Sequence, residues 1–402
     1  MTLSTPPSEI ETRINHLKQR LVKAGIDAAL ILQNSDLFYF TGTIQQAHLF
    51  VPVDGEPLLM VRKDIERATA ESPLRKIVPI SRPQELPELL RRNGYTLPRR
   101  LGLELDVLPA NLYLGYRDIF SGAEISDVST VVRLIRAIKS DHEIDLITAA
   151  AGYSDQVADS VKEYLREGMT EIELAGLIEA RARRLGHQGI IRMRLWGSEL
   201  FYGHLMAGPA AAVPSYLASP TGGAAVSPAV AQGPGFRPIQ RREPILFDYV
   251  FAHQGYLSDH TRIFAIEGLP DELLQAHQAM LAVQSMVKKE AKPGVRTGDV
   301  YAMAVAMATE LGYADNFMGV GDRRIRFIGH GIGIELDEYP FLAQGQRFEF
   351  QQNMIVALEP KLIFPGVGVV GIENTHVVTA DGLHQLGKFN EEVNIVYIRL
   401  AS

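Results

Sequence analysis

Two segments in the second half of the chain each carry a pair of acidic residues placed symmetrically about a turn. The first is residues 245–264, where two apolar stretches are predicted to form strands joined near His253 and Gln254. Asp248 and Asp259 lie at equal distances from that turn, so a symmetric register would place them opposite each other. Opposed like charges destabilise a strand pair, and aspartate is a poor strand former. The pattern therefore predicts a bound cation that offsets both costs.

The second segment, residues 355–378, repeats this arrangement with glutamates. Pro365-Gly366 indicates a turn, and Glu359 and Glu373 lie seven residues to either side of Gly366. Two hairpins with mirrored acid pairs indicate two related halves, which would bring four carboxylates to one centre.

A histidine between two glycines is the remaining candidate ligand. His330 lies between Gly329 and Gly331, where the backbone can approach another group closely. One imidazole with four carboxylates makes an oxygen-rich site, which favours Mn²⁺, Fe²⁺, Co²⁺ or Zn²⁺ over copper or an iron–sulfur cluster. So many carboxylates usually serve two ions about 3.5–4 Å apart. The prediction is two divalent metal ions, with manganese slightly favoured.

Composition excludes several other kinds of site. The 402 residues carry a net charge of −7, which argues against nucleic acid as the main partner. The chain has no cysteine, so a thiol nucleophile, a disulfide framework and a cysteine-based metal site are excluded. Residues 1–11 lack the apolar stretch of a signal peptide, and no run of 18 apolar residues predicts a membrane span. We expect a cytoplasmic protein.

The chain changes character near residue 136. Before it, apolar helical spacing alternates with short strand-like runs, which predicts an α/β domain. After it, Thr170 with Glu173 predicts a capped helix, and Thr297 is predicted to be the N-cap of another. Residues 207–240 are rich in Gly, Pro and Ala and are predicted to form a long loop. Residues 326–400 are predicted to be mostly strands.

The segments around the candidate ligands resemble the creatinase/aminopeptidase family, whose fold is called pita-bread. Aminopeptidase P and prolidase are its best-known peptidases. GYLSDHTR at 255–262, GHGIG at 329–333 and the Glu-Pro pair at 359–360 match the family pattern, and NSDLFYFTG at 34–42 resembles part of its first domain. The resemblance implies an α/β N-terminal creatinase-like domain at 1–135. An α+β pita-bread catalytic domain would follow at 136–402.

The resemblance also implies a function for the candidate residues. Asp248, Asp259, His330, Glu359 and Glu373 would be the ligands of two divalent ions in a homodimeric metallohydrolase that cleaves Xaa-Pro peptides. Glu359 would also accept a proton from a metal-bridging water. The resulting hydroxide would attack the amide carbon while the metals hold the developing oxyanion.

The predicted substrate contacts depart from the family pattern. Asp337 stands where the family peptidases usually have a histidine, and Gly371 stands where they commonly have an arginine. Another family histidine is replaced, with Ser215 and Ser227 as the candidate positions. His204 is a candidate to replace a lost histidine, and Asp337 is a candidate to meet a cation such as a substrate amine.

These departures leave the substrate open between alternatives. The leading hypothesis is a metal-dependent peptidase that acts next to proline, as an aminopeptidase or a dipeptidase. The second keeps the metals but takes a small non-peptide molecule with a C–N or related bond. The third is a scaffold that binds a peptide or a partner without cutting it.

Overall fold

The computed structural model describes residues 5–397, which fall into two units. The first contains the chain up to Arg136 together with Arg194–Trp196, and the second contains residues 137–193 and the chain from Gly197 onward. No helix within residues 5–397 combines the length and the apolar character that a membrane span requires.

The first unit is an α/β fold built on a mixed sheet with the strand order β4-β3-β2-β1-β5-β6. Its elements, in chain order, are α1 (Pro7–Ala24), β1 (Ala28–Ile31), α2 (Asn34–Thr41), β2 (Ala47–Pro52), β3 (Leu58–Val61), α3 (Ile65–Glu71), β4 (Ile77–Pro79), α4 (Leu86–Arg92), β5 (Arg100–Leu103), α5 (Ala110–Ile119), β6 (Glu124–Asp127) and α6 (Ser129–Arg136). The buried face of α1 carries Ile10, Ile14, Leu17 and Leu21, which follow the helical period.

A buried ion-pair network joins distant parts of this first unit. The carboxylate of Asp36, on α2, accepts from Arg136 at 2.6 Å and from Arg194 at 2.7 Å, and Asp36 is fully buried. Arg194 also binds Asp106 through two nitrogens, at 2.7 and 2.9 Å. Burial raises the pKa of Asp36, but the two guanidinium groups outweigh that effect and hold the pKa below its ordinary value. Both arginines therefore face an ionised partner.

The second unit contains three sheets with helices packed against them. Its elements are α7 (Asp141–Tyr164), α8 (Glu171–Arg184), β7 (Gly203–Ala207), β8 (Ile245–His253), β9 (Tyr256–Ile266), α9 (Asp271–Glu290), α10 (Thr297–Glu310), β10 (Phe327–Gly331), β11 (Glu338–Ala343), β12 (Ile355–Leu358), β13 (Lys361–Phe364), β14 (Gly368–Gly371), β15 (Asn374–Thr379), β16 (Gly382–Gln385) and β17 (Asn394–Val396). The sheets have the strand orders β11-β10-β12-β15-β16, β17-β9-β8-β7 and β13-β14. The prediction of mostly strands after residue 326 is confirmed for the described residues.

Two apolar clusters hold these sheets. In one cluster α7 and α8 pack on the β7–β9 sheet through residues such as Val157 and Phe247. In the other, α9 and α10 pack on strands of all three sheets through residues such as Met280, Val356 and Leu362. The strands that carry the acidic residues contribute to these clusters: Phe247 of β8 belongs to the first and Val356 of β12 to the second.

One of the two predicted helix caps is confirmed by the structure, and the other is wrong. Thr170 and Glu173 form the predicted capping box, in which each side chain binds the other residue's backbone N–H. Thr297 is not the N-cap of α10: Arg296 occupies that position, and Thr297 is the first helical residue. The Thr297 N–H is used instead by the Phe348 carbonyl, at 2.8 Å. The helix therefore begins one residue earlier than a Thr297 cap would predict.

The Gly/Pro-rich segment is irregular, as predicted, but it is not uniformly exposed. Between Ala207 and Ile245 the structure has a single 3₁₀ turn, Gly208–Ala210, and no longer element. Ala211, Thr221 and Ile239 of this segment are fully buried. The carboxylate of Glu171 accepts from the N–H of Ala207 at 2.8 Å and from that of Gly235 at 2.9 Å, so one buried acid ties both ends of the loop.

We predict that Thr170→Ala lowers the free energy of unfolding by about 1 kcal/mol, because the first turn of α8 loses a hydrogen-bond acceptor. Urea denaturation followed by circular dichroism measures the change. Thr309→Ala, at an exposed position within α10, is the control and should stay within about 0.5 kcal/mol of the parent protein. Equal effects of the two substitutions would contradict the capping role.

Candidate metal centre

The first acidic hairpin forms as predicted, but its register differs by two residues. β8 and β9 pair through His253 and Tyr256, so the turn is Gln254-Gly255. Both turn residues have positive φ, +47° and +92°, as a type I′ hairpin turn requires. Asp248 therefore faces Thr261, and Asp259 faces Val250.

The prediction that Asp248 and Asp259 lie directly opposite each other is thus wrong. The turn sits about one residue further along the chain than the sequence suggested, which moves every partner by two positions. The two aspartates are diagonal neighbours on one face of the strand pair, a separation that is typically about 7–8 Å between strands. A diagonal pair repels less than a direct one.

The second acidic hairpin has the predicted register but is split between two sheets. Leu358 pairs with Asn374 on one side of the break, and Lys361 pairs with Gly371 on the other. Both ladders share one register, which sets Glu359 opposite Glu373 at the break. There the Glu359 N–H donates to the Ile328 carbonyl at 2.8 Å, and Glu373 forms a bridge with Thr261 of β9. The split thus brings Glu373 to the first hairpin and the Glu359 backbone to β10.

Three of the five predicted ligands form one group. One ligand atom from each of Asp259, His330 and Glu373 lies within 4.8 Å of the others, and all three side chains are buried. The Oδ1 atom of Asp259 has no hydrogen-bond partner among the described residues. His330 Nδ1 lies 3.1 Å from the Gly331 carbonyl, to which it must donate, so in the neutral imidazole Nε2 carries the free lone pair. A buried donor set of two carboxylates and one imidazole fits a divalent cation.

The other two predicted ligands contact a lysine. The ε-ammonium of Lys361 lies 2.9 Å from Asp248 Oδ2, 2.9 Å from Glu359 Oε2 and 2.9 Å from Glu373 Oε2. Its side chain is 1% exposed. Glu359 also approaches the metal-ligand group through Oε1, which is 3.9 Å from His330 Nε2. Of the five predicted ligands, three thus form a group, and Asp248 and Glu359 contact an ammonium.

Sequence reasoning missed Lys361, although a signal was present. Lys361 lies two residues after Glu359, so on extended backbone both side chains point to the same face. A lysine at that spacing would have to enter the same centre as the glutamate. Charged residues in buried strands are uncommon unless they are paired, and here the pairing is threefold.

Burial and neighbouring charges shift the pKa values of Lys361, Asp259 and Glu373. Burial lowers the pKa of Lys361, but the carboxylates of Asp248, Glu359 and Glu373 outweigh it and raise the pKa well above its ordinary value. The ammonium therefore stays charged. Burial, with the neighbouring carboxylates, raises the pKa of Asp259 well above its usual range. Burial also raises the pKa of Glu373 to about 7, against the opposing effect of Lys361.

His204 lies beside the centre, on the neighbouring strand β7. It pairs directly with Asp248 across β7 and β8, is buried, and has no described partner at Nε2. Burial lowers the pKa of His204, and the Lys361 ammonium adds to the effect, while Asp248 and Glu359 oppose it. The imidazole is therefore neutral near pH 7 and holds a nitrogen free for another molecule.

Asp337 lies on the loop between β10 and β11 and is half-buried. Burial lowers the pKa of His330, yet the charge of Asp337, followed by those of Glu359 and Glu373, raises it overall. Asp337 is thus close enough to His330 to act on it electrostatically. Of the two serine candidates, Ser215 is half-buried and Ser227 is exposed.

Two sequence profiles match the chain. The profile described as metallopeptidase family M24 matches residues 145–380. The profile of the Creatinase/Prolidase N-terminal domain matches residues 13–138. Together they confirm the predicted fold class, an N-terminal creatinase-like domain followed by a pita-bread domain.

Individual relatives cover nearly the whole chain at low identity. An Xaa-Pro dipeptidase of Pyrococcus furiosus is 24% identical over 388 residues, which are 96% of this chain and 100% of that protein. The solved structure of an Xaa-Pro dipeptidase from Bacillus anthracis has a TM-score of 0.82 at 24% identity and covers 96% of this chain and 100% of that one. The prolidase from Pyrococcus horikoshii OT3 has a TM-score of 0.78 at 23% identity, with 94% and 99% covered. At these identities the structural likeness establishes the fold.

We predict that Mn²⁺ stabilises the protein through the Asp259–His330–Glu373 group. At about 100 times its dissociation constant, the ion should add about 2.7 kcal/mol to the free energy of unfolding. His330→Ala should remove most of that gain, because the ion loses its nitrogen ligand. Urea denaturation with and without Mn²⁺ measures the difference.

The matched control is His384→Ala, at an exposed position on β16. This variant should keep the full gain. Equal gains in the two variants would mean that the ion binds elsewhere.

Proposed function

Because this chain belongs to metallopeptidase family M24, we propose that it cleaves peptide bonds next to proline in a reaction that depends on a divalent metal ion. The observation that carries the proposal is the buried group of Asp259, His330 and Glu373, whose ligand atoms lie within 4.8 Å of one another. The relatives named Xaa-Pro dipeptidase and prolidase, which span nearly the whole chain, support the choice of bond.

Each residue of the centre has a proposed part in the reaction. Asp259, His330 and Glu373 would hold the ion, which when bound supplies Lewis-acid polarisation and an activated water. Glu359 would accept the proton of the attacking water through Oε1, the oxygen that points towards His330. Its other oxygen is fixed by Lys361 at 2.9 Å, so the accepting oxygen is held in one orientation.

Substrate contacts would come from His204 and Asp337. His204 Nε2 is buried beside Asp248 and has no described partner, so it can donate a hydrogen bond to the substrate carbonyl or to the oxyanion that forms from it. Asp337 keeps part of its surface open to solvent and would bind the positively charged amine of the peptide. Such an anion fits a substrate with a free amino terminus.

Asp337 also favours a second substrate class. Because the carboxylate replaces a neutral hydrogen-bond donor, a small cationic molecule with a C–N bond would meet the same contacts without a peptide. The manganese ion, the cytoplasmic location and the homodimer stay predictions.

We predict that the protein loaded with Mn²⁺ or Co²⁺ hydrolyses Xaa-Pro dipeptides faster than matched Xaa-Ala dipeptides. A panel of peptides of two to five residues, with released amino acids measured by chromatography, tests the prediction. Hydrolysis of Xaa-Ala at the same rate would contradict the proline preference. Turnover of small amines alone would favour the second substrate class, and metal binding without turnover would favour a binding scaffold.

We predict that His204→Ala lowers kcat on the best Xaa-Pro substrate by about 10²- to 10³-fold, the usual loss for one oxyanion donor. KM should change less than kcat, because the contact strengthens only as charge develops on the oxygen. His384→Ala, far along the chain on an exposed strand position, is the control. A change confined to KM would show that His204 only binds the substrate.

A further inference from the structure

We propose that the ε-ammonium of Lys361 takes the place of one of the two divalent cations expected among four carboxylates, so that the centre binds one metal ion. The inference rests on the proposed function, since it specifies the metal content of the same site. Asp248 and Glu359, which were predicted to be metal ligands, would instead bind the Lys361 ammonium.

The contacts of Lys361 use its full donor capacity. An ammonium group has three N–H donors, and here each has its own carboxylate: Asp248, Glu359 and Glu373, all at 2.9 Å. The side chain is 1% exposed, so water does not compete for these bonds. Three carboxylate acceptors and the lack of solvent access hold the ammonium at this position.

The remaining ligands describe a site for a single ion. Asp259, His330 and Glu373 have ligand atoms within 4.8 Å of one another, and Asp248 does not belong to that group. Glu373 belongs to both sets, because its Oε2 atom contacts Lys361 while the carboxylate as a whole stays within reach of the ion. Metal ion and ammonium would thus share Glu373, as two metal ions share a bridging carboxylate.

A second divalent ion does not fit beside this lysine. An ion bound by Asp248 Oδ2 and Glu373 Oε2 would lie close to Nζ, which is 2.9 Å from both oxygens. Any nearby position would place a divalent cation next to a buried ammonium without screening by water, and like charges repel strongly in such surroundings. The two cations therefore exclude each other.

The backbone opposite Lys361 is shaped to admit it. Gly371 is its direct partner across β13 and β14. A Cβ atom at that position would lie 2.7 Å from the Lys361 Cα and 3.0 Å from its Cγ. Any larger residue at 371 would push the lysine out of its present path. The lysine at 361 can thus adopt its present position because residue 371 is a glycine.

The metal content of the purified protein tests this inference. After removal of metal with a chelator, the protein is titrated with Mn²⁺, and bound ions per chain are counted by equilibrium dialysis with elemental analysis. We expect about one ion per chain, with the electron paramagnetic resonance spectrum of isolated Mn²⁺. Two ions per chain, with the spectrum of a spin-coupled pair, would overturn the inference, and so would the absence of a bound ion.

Removing the lysine tests its part directly. Lys361→Met, purified in the presence of Mn²⁺, is expected to bind about two ions per chain. Lys288→Met is the control, because the Lys288 ammonium contacts Gln385 rather than a candidate ligand, and it should bind one. One ion in Lys361→Met would overturn the assignment of Lys361. If that variant does not fold, the counts and spectra of the parent protein decide the question.

Assays of Xaa-Pro cleavage separate this inference from the proposed function. One ion per chain without cleavage would leave the inference standing and overturn the function. Two ions per chain with cleavage would do the reverse.

Discussion

Four carboxylates gathered in a largely buried centre need positive charge at the same place. A buried carboxylate without a partner is so costly that it takes up a proton instead. The raised pKa of Asp259 and that of Glu373 show this tendency. The Lys361 ammonium balances part of this negative charge through three contacts at 2.9 Å. A divalent ion among Asp259, His330 and Glu373 would balance the rest.

The strands around the centre hold its ligands through bonds between sheets. Thr261 forms a bridge with Glu373 and also donates its hydroxyl to the Glu373 carboxylate at 2.9 Å. Thr375 accepts from the Asp259 N–H and donates to the Asp259 carbonyl, each at 2.9 Å. The buried guanidinium of Arg262 donates to the Glu373 carbonyl at 2.9 Å. The backbones that carry the two acids are thereby fixed before any ion binds.

Local sequence rules predicted the elements but not every pairing between them. The mirrored spacing of Glu359 and Glu373 predicted their register, because the turn at Pro365-Gly366 is marked by its residues. The spacing of Asp248 and Asp259 predicted a register that was wrong, because the turn at Gln254-Gly255 has no comparable mark at its first position and uses positive φ at a glutamine. Register depends on turn geometry, which a single sequence specifies only when the turn residues are distinctive.

Lys361 shows what a search for ligands alone leaves out. The predicted centre contained only acids and a histidine, the groups that bind a metal, although a basic side chain shares their face. A crystal structure of the Mn²⁺-loaded protein, with anomalous scattering used to locate the metal, would show directly whether one ion or two occupy the centre. We expect one anomalous peak per chain, bound by Asp259, His330 and Glu373, with Lys361 in contact with Asp248 and Glu359. Two peaks per chain, with the lysine displaced from the carboxylates, would contradict this expectation.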